Sequence, residues 1–266
     1  MPPLLTTRAL LVVLAAFCTA LTATSWCQSR NPSVDEIVSK MGQAHAEARD
    51  RSVPYTVSRE YQLSSDKASK ASSEVLAQIN FVPPSQKDYT VRKIEGSDRG
   101  TDIVRRVLEH ESKMATHAEL HEITARNYQF ALLGREPVDG HDCYVLQLTP
   151  KRNESDLVNG KAWVDTTSFH IRRIDGAPAR SPSWWIHNLH VTINYGAVQG
   201  VWTQLATLAV ADVRLMGTHV LTSREVDLQT PTVDARNRLP NRVGEHPSHS
   251  HAPRRAMADS AVWMPR

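Results

Sequence analysis

The segments Asp142-Cys-Tyr-Val-Leu-Gln-Leu148, Lys161-Ala-Trp-Val-Asp165 and Phe169-His-Ile-Arg-Arg-Ile174 are short β-rich runs separated by polar turns. Side chains alternate between the two faces of a strand, and these runs carry that alternation or a β-prone composition. Residues 189–195 and Val201–Val213 continue the series. Since parallel strands need long, usually helical crossovers and these connections are short, we predict an antiparallel sheet.

The first predicted element upstream of this block is a helix over Val34–Asp50. Ser33 and Glu36 have the spacing of a capping box, in which both side chains bond free amides of the first turn. Apolar residues then recur with helical period, including Ile37 and Met41. We expect this helix to pack against a sheet.

Three strands and a second helix are predicted before residue 128. Apolar alternation over 53–63 and β-rich composition over 74–82 and 87–94 predict a meander, with Pro83-Pro84 joining the last two strands. The apolar period becomes helical from Asp102 to about Leu120, which predicts a helix between two runs of strands.

The N-terminus is typical of an export signal. Residues 9–17 are an apolar run behind Arg8, shorter than the roughly 20 apolar residues that span a bilayer. We predict a signal peptide over residues 1–27, with a retained anchor as the alternative. The bulky Trp26 disfavours a lipoprotein start at Cys27, so the mature protein is expected to be exported.

The mature chain is predicted to contain one domain, residues 33–230. Residues 231–266 are rich in Pro, Arg and His without apolar periodicity, which predicts a disordered tail. The net charge is only +3, and bases do not cluster with aromatics, so nucleic-acid binding is not expected. Signal removal leaves Cys143 in the mature chain, and we predict a buried thiol rather than a nucleophile or a disulfide framework.

Motifs for catalysis, cofactors and metals are weak. A Gly-x-Ser-x-Gly elbow and phosphate-binding Gly-rich loops are missing from the sequence. Asp165 and Asp175 end consecutive strands, where Asp more often closes a turn than acts as an acid or base. Two groups of histidines have only loose metal-ligand spacing: His110, His117, His121, His246, His249 and His251. We therefore predict no enzyme activity, cofactor or metal.

Aromatic residues concentrate in the strand block. Trp163, Trp184, Trp185 and Trp202 fit either an ordinary core or the lining of an apolar ligand cavity. Both interpretations place large apolar side chains inside the fold.

A set of short motifs in residues 34–228 resembles exported bacterial outer-membrane lipoprotein-sorting proteins, the relatives of LolA, LolB and LppX. The resemblance is carried by Tyr128-Gln-Phe130, Leu133-Gly-Arg-Glu136, Val138-Asp-Gly140, Tyr144-Val-Leu146, Pro150-Lys-Arg152, Gly160-Lys-Ala-Trp-Val-Asp165, Ile174-Asp-Gly176 and Pro182-Ser-Trp-Trp-Ile186. It implies an α+β fold, an incomplete, strongly curved antiparallel β-barrel whose concave face is covered by helices. An apolar cavity is expected between the helices and the sheet.

The resemblance implies a non-enzymatic periplasmic protein that binds or carries lipid or lipoprotein acyl chains. Strand parity and aromatic content select eight candidate cavity residues: Tyr55, Val57, Tyr61, Trp163, Leu189, Val191, Ile193 and Tyr195. One alternative is a scaffold or sensor that binds a protein partner, including a membrane-associated one. A second alternative is a hydrolase whose site has no recognised motif.

Overall fold

The computed structural model describes residues 31–65 and 72–231. The predicted signal peptide, most of the predicted tail, and His246, His249 and His251 lie outside the described residues. Two α-helices, one 3₁₀ turn and ten strands make up the described part of the chain. In chain order they are α1 (Val34–Asp50), β1 (Tyr55–Ser65), β2 (Ser73–Val82), β3 (Gln86–Gly96), α2 (Asp98–Thr116), the 3₁₀ turn (Ala118–Leu120), β4 (Tyr128–Val138), β5 (His141–Pro150), β6 (Val158–Asp165), β7 (Ile171–Pro178), β8 (Ile186–Val198), β9 (Val201–Val213) and β10 (Gly217–Gln229).

All ten strands form one antiparallel sheet in the order β3-β2-β1-β10-β9-β8-β7-β6-β5-β4. Strands β3 and β4 are its edges, so the sheet does not close. Two meanders are joined by one long-range pair, β1 with β10, which runs from Thr56 opposite Gln229 to Ser65 opposite His219. The predicted α+β fold class, an incomplete antiparallel barrel with helices, is confirmed.

The N-terminal caps determine where the helices begin. Ser33 Oγ accepts a hydrogen bond from the Glu36 amide at 3.2 Å, so α1 has its predicted bounds. Helix α2 begins at Asp98, four residues before the predicted start, because Ser97 Oγ accepts from the Gly100 amide at 3.2 Å. The prediction of an uninterrupted second helix to Leu120 was wrong, since α2 ends at Thr116.

Both helices pack on the same face of the sheet, which we call the inner face. Helix α2 buries Val104 and Leu108 against Val57, Tyr61, Val75, Ala77 and Ile79 of β1 and β2. Strand pairing continues this face across the sheet, through Leu221, Ala209 and Val191 to Gly176. At the far end, α1 buries Ile37 and Met41 against Tyr144, Leu146 and Val164 of β5 and β6. The helices thus cover the two ends of one face.

The opposite face, the outer face, has a small core of its own. Val138, Cys143, Val145 and Trp163 form a buried cluster there. Cys143 is fully buried, and burial raises the pKa of its thiol to about 11, so the predicted structural thiol is confirmed. Among the described residues, no helix is long and apolar enough to cross a membrane.

Candidate ligand-binding trough

The middle of the inner face, between the two helix-covered ends, carries a group of apolar side chains beside the polar residues Thr207 and Ser223. Of the described residues, none in β8 or β9 belongs to a buried core cluster. Their inward side chains are half-buried instead. We call this surface the trough and define it by six inward residues that neighbour one another across or along the strands: Ile174, Val191, Ile193, Tyr195, Ala209 and Leu221.

Hydrogen bonds on the outer face show which side chains of β8 enter the trough. His190 Nε2 lies 3.1 Å from Asp175 Oδ1, and Thr192 Oγ1 donates to Asp175 Oδ2 at 2.7 Å. Because successive strand residues point to opposite faces, the alternating residues Val191 and Ile193 face inward. Their neighbours across β7 are Gly176 and Ile174.

A buried polar cluster marks the end of the trough nearest α2. Arg59 of β1 is 2% exposed, and its Nη2 donates to the Gln204 carbonyl of β9 at 2.9 Å. Its Nη1 lies 3.6 Å from Glu111 Oε2 of α2, which also accepts from Lys87 Nζ at 2.7 Å. Arg59 Nε and Nη1 have no hydrogen-bond acceptor among the described residues. The guanidinium therefore retains donor capacity at a buried position.

The pKa shifts in this cluster follow its burial. Burial, and after it the Glu111 carboxylate, raise the pKa of Tyr195 to about 12, although Arg59 opposes both effects. Burial likewise raises the pKa of Glu225, the residue opposite Arg59 on β10, although Arg59 partly offsets this effect. The polar end of the trough is thus a desolvated environment that contains charges of both signs.

The structure brings some of the eight predicted cavity residues together and separates others. Val191, Ile193 and Tyr195 lie in the trough, and Leu189 precedes them on β8 where the register shifts. Tyr55 is half-buried and stacks on Phe81 with ring centroids 5.1 Å apart.

Two other predicted cavity residues lie beneath a helix. Val57 and Tyr61 are 2% and 1% exposed and pack under α2. Their parity was assigned correctly, but the helix already occupies the space that a ligand would need. They therefore belong to the core under α2 and do not line the trough.

Trp163 does not share a face with the other candidates. It lies on the outer face, and its Nε1 donates to Glu136 Oε2 at 2.8 Å. The reason is parity: Ala162 and Val164 of β6 pack inward, so the residue between them points outward. Trp163 is therefore a core residue of the outer face.

Trp184 lies neither in a core nor in a cavity lining, the two roles expected for the tryptophans. It is 76% exposed, in the loop before β8, and stacks on the neighbouring Trp185 with centroids 6.2 Å apart. Trp202 is half-buried and stacks on His170 at 4.7 Å. Loop placement, which aromatic content alone does not reveal, explains the exposure of Trp184.

Asp165 ends β6 as predicted, whereas Asp175 lies within β7 and not at its end, and both carboxylates are held in structural contacts. Asp165 Oδ1 accepts from the Thr167 and Ser168 amides at 2.9 Å, and Arg172 Nε donates to its Oδ2 at 2.6 Å. Although burial raises the pKa of Asp165, these donors outweigh it and lower the pKa to about 2. Asp175 is occupied by His190 and Thr192. Both carboxylates tie adjacent segments together on the outer face.

The predicted histidine group on α2 is dispersed. His110 Nε2 lies 3.5 Å from Asp156 Oδ1, His117 is the C-cap of α2, and His121 follows the 3₁₀ turn. Within the described ranges, no three His, Cys, Asp or Glu side chains gather as metal ligands would.

Sequence reasoning missed the residues that flank the trough in other strands. Ala209 and Leu221 come from β9 and β10, and Glu111 comes from α2, so only tertiary pairing brings them to the site. Arg59 did carry a signal, because it lies among Val57, Tyr61 and Leu63 on the apolar side of its strand. A lone Arg on such a side indicates a buried charge with a specific partner.

A surface depression lies apart from the trough. It has a volume of about 410 Å³, is open to solvent, and is lined by Asp88, Tyr89, Glu109, Ser112 and Lys113 between β3 and α2. Its polar lining differs from that of the trough.

Residues 78–235 match a protein family whose description reads "uncharacterized protein". The chain belongs to this family. No curated protein sequence matches it significantly.

Several solved structures are similar to the chain. A DUF1329 family protein from Desulfovibrio piger is 15% identical over 75% of this chain and 94% of that one, with a TM-score of 0.41. An outer membrane lipoprotein-sorting protein domain from Vibrio parahaemolyticus is 14% identical over 73% and 92%, at 0.36. A LolA superfamily protein from Nitrosomonas europaea is 12% identical over 77% and 97%, at 0.35. The last two come from the group that the sequence motifs resemble.

Proposed function

We propose that the protein is a non-enzymatic periplasmic carrier that binds the acyl chain of a lipid or lipoprotein in the trough. The observation that supports this proposal is the row of half-buried apolar side chains left between the two helix-covered ends of the inner face. In water such a surface favours an apolar occupant, because burial stabilises it by about 0.8 kcal/mol per CH₂ group.

The width and direction of the trough suit an extended chain. Val191 and Ile193 follow one strand, while Ala209 and Leu221 continue the apolar surface across two neighbours. A flexible acyl chain can follow such a surface without a preformed shape, and each methylene adds to affinity. The Arg59 donors at the α2 end would meet an oxygen of the ligand's polar end, which gives the chain a direction.

We assign no reaction to the protein because the two carboxylates considered for hydrolysis are held in other contacts. Asp165 and Asp175, the acids considered for hydrolysis, are engaged by backbone amides, Arg172, His190 and Thr192 on the outer face. The trough lies on the other face. Periplasmic placement rests on the predicted export signal of residues 1–27.

The experiment is a direct binding titration with cis-parinaric acid, a fluorescent long-chain fatty acid. We expect saturable binding to the wild-type protein and about tenfold weaker binding to Ile193→Asn, since a polar amide in the trough opposes burial of the chain. Leu208→Asn is the matched control, because Leu208 lies on the outer face of β9, opposite Thr192. It should bind the fatty acid as the wild type does.

Four results would contradict the proposal. Wild-type protein that does not bind the probe would contradict it, as would equal losses in Ile193→Asn and Leu208→Asn. Native mass spectrometry of protein purified from its own periplasm supplies the third. A single stoichiometric protein partner and no lipid would favour the scaffold or sensor, and ester hydrolysis lost on Asp165→Asn would favour the hydrolase.

A further inference from the structure

Two loops, one before β8 and one between β9 and β10, expose apolar side chains at one end of these strands, and the trough does not use them. Trp184 is 76% exposed, Leu215 is 99% exposed and Met216 is 38% exposed. The loops lie side by side, because Ile186 pairs with Val213 and the Arg214 amide donates to the Trp185 carbonyl at 2.9 Å. We call Trp184, Trp185, Arg214, Leu215 and Met216 the tip.

Leu215 occupies a backbone conformation that does not suit leucine. Its φ is 68°, in the left-handed region where Gly and Asn are favoured and side chains with a large Cβ substituent are rare. A fully exposed leucine there gains neither packing nor a relaxed backbone. Such a conflict between residue and local structure is characteristic of functional positions.

The tip also carries positive charge beside its aromatic rings. The Arg214 guanidinium lies 5.6 Å from the centre of the Trp184 ring, and Arg180 is exposed in the loop before Trp184. Asp212, the nearby acid, accepts hydrogen bonds from Asn188 at 2.9 Å and Thr218 at 2.8 Å. Indole rings favour the boundary between headgroups and acyl chains, and Arg pairs with lipid phosphates.

We propose that the tip inserts into the interface of an anionic phospholipid bilayer. The small size of the tip favours a bilayer over a protein as its binding partner. Specific protein interfaces bury roughly 800 Å² on each side, whereas the tip consists of two short projecting loops. A fluid bilayer accepts a few projecting apolar side chains without a complementary pocket.

The position of the tip connects it to the trough, and in this respect the inference rests on the proposed function. Strand β8 begins at Ile186 beside the tip and carries Val191 and Ile193 into the trough. An acyl chain could therefore pass between membrane and trough at this end of β8 and β9 without crossing the polar cluster at Arg59.

The test is co-sedimentation of the full mature protein with vesicles of phosphatidylcholine and phosphatidylglycerol in equal amounts. We expect binding, with a blue shift of tryptophan emission. Leu215→Asn combined with Trp184→Ser should weaken it about tenfold, because the tip loses its apolar side chains. Asn suits the backbone at 215, so the variant should fold and its thermal midpoint should not fall. Leu133→Asn, at a 52% exposed leucine on β4, is the matched control and should bind like the wild type.

Charge is tested separately with Arg180→Gln and Arg214→Gln. These variants should weaken binding to the anionic vesicles and leave the weaker binding to pure phosphatidylcholine unchanged. Binding that persists in Leu215→Asn/Trp184→Ser would overturn the proposal. Failure of the wild-type protein to bind vesicles would also overturn it, whether the tip then binds a second copy, another protein or neither. Fatty-acid binding is measured in parallel, so failure at the tip is distinguishable from failure of the trough.

Discussion

The end of the inner face under α2 and the middle of the same face are built from similar strands but differ in their covering. Ile79 under α2 is 1% exposed, whereas Ile193 in the trough is half-buried. Both are isoleucines whose side chains point inward. The comparison shows that strand sequence creates an apolar surface, and that coverage by a helix determines whether this surface becomes part of the buried core.

The other end of the sheet supports the same conclusion. Leu146 and Val164 are completely buried under α1. Helices α1 and α2 cover opposite ends of the sheet, and the described residues of β8 and β9 between them belong to no buried core cluster. Stability and binding should therefore depend on different residues of one continuous face.

The largest effect on stability is expected for Trp163, which lies on the outer face and belongs neither to the helix-covered core nor to the trough. Trp163→Ala should lower the free energy of unfolding by about 3–5 kcal/mol, since it removes a large buried side chain. Affinity for cis-parinaric acid, measured where the variant is still folded, should be unchanged. A stability loss below about 1 kcal/mol together with weaker fatty-acid binding would mean that Trp163 belongs to the trough after all.

The direct test of the comparison uses the two isoleucines. Ile79→Ala should cost about 2–5 kcal/mol in urea unfolding, because α2 and β2 cannot fully close the resulting cavity. Ile193→Ala should cost about 1 kcal/mol, since its side chain is only half-buried, but it should weaken fatty-acid binding. Equal stability losses would show that the trough is ordinary core.

A smaller change in stability is expected at low pH, where Asp165, near the α1 end of the sheet, becomes protonated. The pKa of Asp165 is about 2 when folded and near 4 in an unfolded chain, so its folded value is depressed. Its contribution is therefore complete above about pH 4 and is lost as pH falls toward 2. We expect on the order of 2 kcal/mol, measured by urea unfolding across this range.

Asp165→Asn provides the control for this pH dependence. The variant should be less stable than the wild type at neutral pH, because it loses the charged partner of Arg172. The difference between the two proteins should shrink as pH falls from about 4 to 2. A difference that stays constant over that range would show that Asp165 does not titrate there.

The sequence determined local structure where a local signal existed. The Ser33 cap set the start of α1, and alternation assigned the inward parity of Val191, Ile193 and Val57 correctly. Ser97 was a cap of the same kind, yet the apolar period begins after it, and the start of α2 was therefore predicted four residues too late. Trp163 was misassigned because aromatic content carries no information about which face a side chain occupies.

By itself the sequence determined most of the strands, the approximate position of both helices and the apolar side of several strands, because these depend on residues close together in the chain. Tertiary structure alone decided that β1 pairs with β10, that α2 covers Val57 and Tyr61, and that Arg59 reaches Glu111 and Gln204. These contacts join residues far apart in the chain, and no local periodicity encodes them. The trough is the part of the apolar face that those long-range contacts left uncovered.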